Sequence, residues 1–156
     1  MLTRWIDVLE RAVAWALGAL FAGLIAVVAM QVLARNVLEV PMIWTLDLAQ
    51  LLFVWCIFLG AALAWRKGGH YEVNLWPAAG PMAQVPRIVA VFATLAVVWV
   101  LIVNGAAMTQ IATRRTSQTL GISEFWYFFP IPLCGGLIAI FLVEAVARAF
   151  HGPRAS

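Results

Sequence analysis

The chain has 156 residues, 65% of them hydrophobic by type and only 11% charged, with a mean hydropathy of +0.97. A soluble domain is about one quarter charged, so this composition excludes an ordinary water-soluble globule and points to a chain embedded in a membrane. The net charge of +3 and pI of 9.4 do not mark a nucleic-acid binder, because the ten basic residues fall singly or in pairs between apolar runs and form no stripe.

Stretches free of Asp, Glu, Lys and Arg cover 12–34, 48–65, 88–113 and 125–143. A helix crosses a hydrocarbon core of about 30 Å with roughly 20 mainly apolar residues, so each stretch can span or nearly span alone. The prediction is an all-α integral membrane protein with four transmembrane helices, over 12–34, 43–65, 88–113 and 125–147, in a single membrane domain of residues 1–156. Extending the second span back to Ile43 brings Asp47 and Gln50 inside it. The first run imitates a signal peptide, with Arg4 and Arg11 before it and Val32 and Ala34 at its end. Its apolar stretch of 23 residues exceeds the about 7–15 of a signal h-region, so a retained helix is expected.

Lys and Arg favour cytoplasmic flanks. Arg4, Arg11, Arg66, Lys67, Arg87, Arg148 and Arg154 fall on one side of the four spans, and Arg35, Arg114 and Arg115 on the other. Both termini are therefore expected in the cytoplasm, with short loops 35–42 and 114–124 facing outward. Trp15 and Trp65 at the inner edge, and Trp44, Trp126 and Tyr127 at the outer, suit the headgroup layer, whereas Trp55 and Trp99 are mid-span. Between spans two and three, Gly68, Gly69, Pro77, Gly80, Pro81 and Pro86 break any long helix. Residues 70–76 could still form a short interfacial turn, and Pro86 suits the first turn of the third helix. Small residues recur four apart at Gly18 and Ala22, Ala19 and Gly23, Gly60 and Ala64, and Gly135 and Ala139, where helices can approach closely.

Little in the chain carries chemistry. Cys56 and Cys134 lie in different spans without a Cys-x-x-Cys motif, and read as small apolar residues. His70 and His151 lie in the flanks, so neither is placed as a mid-span haem ligand, and no metal-ligand spacing or phosphate-binding glycine loop is present. No cofactor, metal or catalytic residue is expected, and the chain does not read as an enzyme. Ionisable residues inside a span are the functional suspects, and only Asp47 and Glu144 qualify. Glu144 precedes Arg148 by four residues, a favourable helical ion-pair spacing. Asp47 lies near the outer end of the second helix, where it could pair with Arg35 or contact a partner. The remaining span residues Gln31, Gln50, Thr94, Asn104 and Gln110 do not converge, and the helices look whole. A solute pathway needs converging polar groups and usually broken helices at mid-membrane, so the chain reads as supporting transport rather than performing it.

The order of motifs carries a resemblance. VLARNVLEVPMIWTLDLAQLLFVWCIFLGAALAWRKGGHYEVNLW (32–76) and TLGISEFWYFFPIPLCGGL (119–137) resemble the small membrane subunit of tripartite ATP-independent periplasmic (TRAP) transporters over nearly the whole chain. Its sharper elements are Arg35, Trp44, the 58–62 run that includes Gly60, the basic-Gly-His run ending at His70, and Pro132 before Gly135 and Gly136. Gln50 stands where the family often has an acidic residue, and Asn74 where an Asp is common, so no polar contact is carried over at either. The resemblance implies a three-part secondary transporter of the bacterial inner membrane. A periplasmic binding protein captures an organic acid, a large permease moves it inward with sodium, and the small subunit scaffolds the permease within membrane lipid. No substrate site is implied here; Arg35, Trp44, Asp47, Gln50, Gly60, His70, Pro132 and Gly135 are candidate structural or subunit-contact residues. Two other classes share the size: a membrane anchor of a redox or signalling complex, and a small autonomous exporter or channel.

Overall fold

The computed structural model describes residues 2–40, 42–67 and 84–150, with side chains over 4–40, 42–67 and 89–145. The helices are α1 (Leu2–Asn36), α2 (Trp44–Arg66), α3 (Gln84–Ala112), the single turn α4 (Phe125–Phe128) and α5 (Pro130–Phe150). Among the described residues four segments are long and apolar enough to cross a membrane: Arg4–Asn36, Trp44–Arg66, Val89–Ala112 and Phe125–Ala145. In hydrocarbon every backbone N–H and C=O must be paired within the chain, and apolar runs of this length do so as helices.

The boundaries differ from expectation in two places. The first helix starts at Leu2, ahead of its apolar run, and its 35 residues extend about 52 Å at 1.5 Å per residue. That exceeds the about 30 Å of hydrocarbon, so the charged first three turns can stand in the headgroup layer or beyond. The fourth span stays helical through Phe129 (φ −57°, ψ −33°), but its hydrogen-bond ladder is interrupted there, between α4 and α5. The cause is local: Pro130 has no N–H to give Trp126, the carbonyl four residues back. The Trp126 carbonyl instead accepts from the Trp55 indole of α2 at 3.0 Å, and the Trp55 and Phe129 rings lie 6.1 Å apart. The missing helical bond lies at the loop end of the helix, not at mid-span. Pro86 falls in the first turn of α3, as its chemistry suggests.

The long helices pack in a row, α1 on α2, α2 on α5 and α5 on α3. The interior is built from Leu59, Ala62 and Leu63 of α2 against Cys134, Leu137, Ile138 and Phe141 of α5, with Ile6 and Val13 of α1 and Val98 of α3. α1 and α3 flank the row and expose large apolar side chains such as Phe21, Ile25, Phe92 and Trp99. Such faces are at home in lipid, where association rests on close packing rather than escape from water.

The α3–α5 seam is close at its glycines. A Cβ on Gly105 would come within 2.9 Å of Ile131 Cγ2 and 3.0 Å of the Pro132 ring and backbone nitrogen. Three or four residues along α5, a Cβ on Gly135 would meet Ile102 Cγ1 at 2.9 Å and Leu101 Cβ at 3.0 Å. Each helix thus offers a glycine to the bulk of the other. Of the small-residue pairs expected to mark contacts, Gly135 does so closely, while Gly23 and Gly60 lie at ordinary distance from Leu52 and Leu17. Gly18 faces open space.

Candidate functional site

Polar chemistry gathers at the two ends of the helices. At the end near the N-terminus, Arg66 closes α2 and turns inward, its side chain only 10% exposed. Nη2 lies 2.6 Å from Asp7 Oδ1 and 3.4 Å from Glu144 Oε2, and Nη1 lies 2.5 Å from Glu10 Oε2. Nη1 also donates to the Ile6 carbonyl at 2.9 Å, and the guanidinium carbon sits 5.2 Å from the centre of the Phe141 ring. The planar five-donor fork of arginine can serve several acceptors at once, which a lysine ammonium does less well. One cation thus ties α1, α2 and α5 together. The spacing of Asp7 and Glu10, three residues apart on one helix face, allows both to reach it.

Glu144 was expected to pair with Arg148. The side chain of Arg148 lies outside the described residues, and Arg66 is the cation recorded beside Glu144, although Glu144 has interactions beyond that pair. The sequence reading counted Arg66 only as a flanking charge; the available signal was three acids converging on the same membrane edge.

At the opposite end, Asp47 lies in the first turn of α2. Of the two expectations, Arg35 or a contact with a partner chain, the Arg35 pair is replaced here by hydroxyls of a loop. The carboxylate accepts from Ser117 Oγ at 2.8 Å and, closely, from Thr119 Oγ1, while the Tyr127 hydroxyl donates to the Asp47 carbonyl at 3.0 Å. Among the described residues Arg35 forms no ion pair. The loop that brings these hydroxyls is tightly turned: Ser117 N–H donates to Ile122 at 2.8 Å and Glu124 N–H to Arg115 at 3.0 Å, around a Thr116–Ser123 bridge. Gly121 supplies the positive φ of 66° that the reversal requires. Asp47 therefore anchors the loop between α3 and α4, and the loop carries exposed Arg114 and Arg115.

Arg35 lines a hollow of about 430 Å³ with Gln31, Glu39, Met42, Ile43 and Leu46. Trp44 opens α2 and is exposed, and Gln50 is exposed on the same helix. Gly60 packs near Leu17, Pro132 against Gly105, and Gly135 against Leu101 and Ile102, whereas His70 and the expected 70–76 turn lie outside the described residues. The structure thus brings Asp47 to the α3–α4 loop and pairs Pro132 and Gly135 with α3, but does not unite the candidates in one site. Thr94 and Thr109 bond the carbonyls of Ala90 and Gly105 on their own helix, so neither hydroxyl is aimed at a central pathway. No group of three or more His, Cys, Asp or Glu with metal-binding geometry occurs among the described residues.

The pattern of the tripartite ATP-independent periplasmic transporters, DctQ component, matches residues 24–152. The chain belongs to this family. It is 30% identical over 124 residues to the sialic acid TRAP transporter small permease protein SiaQ of Vibrio cholerae, covering 78% of this chain and 71% of that protein. It is also 30% identical over 149 residues to the sialic acid TRAP transporter permease protein SiaT of Haemophilus influenzae, covering 91% of this chain. The chain spans 23% of that longer relative. As a DctQ component with four membrane-crossing segments, it is a small TRAP permease subunit and a multi-pass protein of the bacterial inner membrane.

Proposed function

We propose that the chain is the stationary small subunit of a sodium-coupled TRAP transporter, packing against a large permease that receives an organic acid from a periplasmic binding protein. The observation that carries this reading is the disposition of polar groups within a DctQ fold: the charged clusters sit at the ends of the helices, and the Thr hydroxyls of α3 bond their own backbone. Substrate translocation needs converging polar groups inside the membrane, so that work falls to a partner. The Haemophilus relative supports a large-permease partner, since a stretch similar to this chain is one part of a longer permease protein. Both relatives are named for sialic acid, a carboxylated sugar, which supports an organic acid as the substrate class. The chain acts as a scaffold and not as an enzyme, a single membrane unit with both termini in the cytoplasm.

Reconstitution in liposomes with an inward sodium gradient tests the proposal. Uptake is expected only when this chain, its large permease and the loaded binding protein are all present. Sodium-driven accumulation by this chain alone overturns the reading, and full uptake by the large permease without it removes the scaffold role.

A further inference from the structure

α3 ends the row, and only one of its sides is covered. Val98, Gly105 and Thr109 are buried on the side that meets α5. The other side exposes Trp99, Val100 and Val103, together with Ala96, Asn104 and Ala107. At 3.6 residues per turn, Trp99 and Asn104 stand about 140° apart across this outer face, with Ala96, Val100, Val103 and Ala107 between them. Small residues such as the two alanines let another helix approach closely.

The two polar side chains lie deep. Along the span Val89–Ala112, Trp99 is about 15 Å from one end and Asn104 about 12 Å from the other, at 1.5 Å per residue. Helical side chains lean toward the N-terminus, which carries the Asn104 carboxamide deeper still, away from its nearer end. Neither side chain has a hydrogen-bond partner among the described residues, and Trp99 is 69% exposed. The other polar groups behave differently: Thr94 and Thr109 bond carbonyls of their own helix, and the Trp55 indole bonds the Trp126 carbonyl. Polar side chains inside a membrane face protein rather than lipid, and asparagine hydrogen-bonds across helices. At the other end of the row, α1 borders an apolar groove with α2 at Gly18 and carries no polar side chain between Trp15 and Gln31, so lipid satisfies that flank.

We propose, resting on the reading of the chain as a small permease subunit, that the outer face of α3 is where the large permease docks. Two transmembrane helices of the permease straddle α3, one offering an acceptor to the Trp99 indole and the other a polar partner to the Asn104 carboxamide. A second copy of this chain does not satisfy the face. A two-fold axis along the membrane normal sets each residue against its twin at the same depth, so the indole of Trp99, a donor only, would meet another donor. A single facing helix would also leave one flank of the 140° arc bare.

Photocrosslinking in membranes that hold this chain and its large permease tests the face. With Val100 or Val103 replaced by p-benzoylphenylalanine, the expected product joins this chain to the large permease. Asn104→Leu and Trp99→Phe should each lower recovery of the complex about three-fold, the average worth of one interhelical hydrogen bond in a membrane, and both together about ten-fold. Neither should lower the melting temperature of this chain purified by itself, because neither side chain is bonded within it. If the complex copurifies but the α3 positions crosslink only to a second copy of this chain, or crosslinks form only from the same replacement at Ile25 of α1, the proposal is overturned. Unchanged recovery of the complex in the double variant overturns it too. Failure of the wild-type chain to copurify with the large permease would sink the subunit reading as well.

Discussion

At the scale of single residues, Arg66 does more than flank a span. Its guanidinium is largely buried among three carboxylates, of which Glu144 is 5% exposed and Asp7 is 45% exposed in the side chain. Removing one member of a buried ion pair leaves the other uncompensated, at about 3–5 kcal/mol. Arg66→Gln should sit near the lower figure, because Asp7 and Glu10 can turn to solvent and Glu144 keeps other interactions. Asp7→Asn should cost less than about 1 kcal/mol, as exposed pairs do. Thermal unfolding of the two variants in detergent measures the contrast, and equal destabilisation would deny Arg66 its special place. Asp47 holds the α3–α4 loop through Ser117 and Thr119. Asp47→Ala should therefore accelerate amide exchange across 115–124 severalfold, while Arg35→Ala should leave that loop unchanged. Equal effects of the two substitutions, read by hydrogen–deuterium exchange, would restore a link between Arg35 and Asp47.

At the scale of helices, glycine means different things at different positions. Adding a methyl at Gly105 drives it into the Pro132 ring and backbone, which cannot swing aside. Overpacking of that kind costs about 1–3 kcal/mol, against a gain of up to about 1 kcal/mol in helix propensity. Gly105→Ala should thus lower thermal stability, whereas Gly18→Ala, with nothing within 4 Å, should keep or raise it. Melting curves in the same detergent compare them, and a stabilised Gly105→Ala would mean that the α3–α5 seam can open. Proline shapes the same helix pair from the other side. Pro130 frees the Trp126 carbonyl, and the Trp55 indole takes it, so a missing helical bond becomes a tie between α2 and α4.

At the scale of the whole molecule, the helices of the row α1–α2–α5–α3 carry the charged Arg66 cluster at one of their ends and the Asp47 loop at the other. The excess of Lys and Arg on the Arg66 side predicts that this end faces the cytoplasm. In a variant lacking Cys56 and Cys134, single cysteines at the exposed positions Glu39 and Gln118 should react with an impermeant thiol reagent added to intact cells. A cysteine at exposed Trp5 should react only after the membrane is opened. Labelling of position 5 in intact cells would invert the topology.

The membrane setting and the family were legible without coordinates, because both rest on local features: the lengths of apolar runs, and short motifs in order such as 58–62 and the prolines before Gly135. The existence of the four spans follows from the need to pair backbone groups inside hydrocarbon, a need that each segment meets by itself. The charge partners were not legible in the same way. Arg66 meets Asp7 across 59 positions, and Asp47 meets Ser117 across 70, and several other charges stood equally near those membrane edges in sequence. Nor did spacing distinguish Gly105, absent from the expected small-residue pairs, from Gly18, which belonged to them. A lone glycine inside α3 was the available signal, since it weakens a helix unless packing requires it. Only the rotation of each helix about its axis decides which small residue meets a neighbour and which opens onto a groove. Apolar faces are nearly interchangeable toward lipid, so hydropathy cannot report that rotation; shape complementarity and the few buried polar bonds determine it, and those exist only once the helices are together.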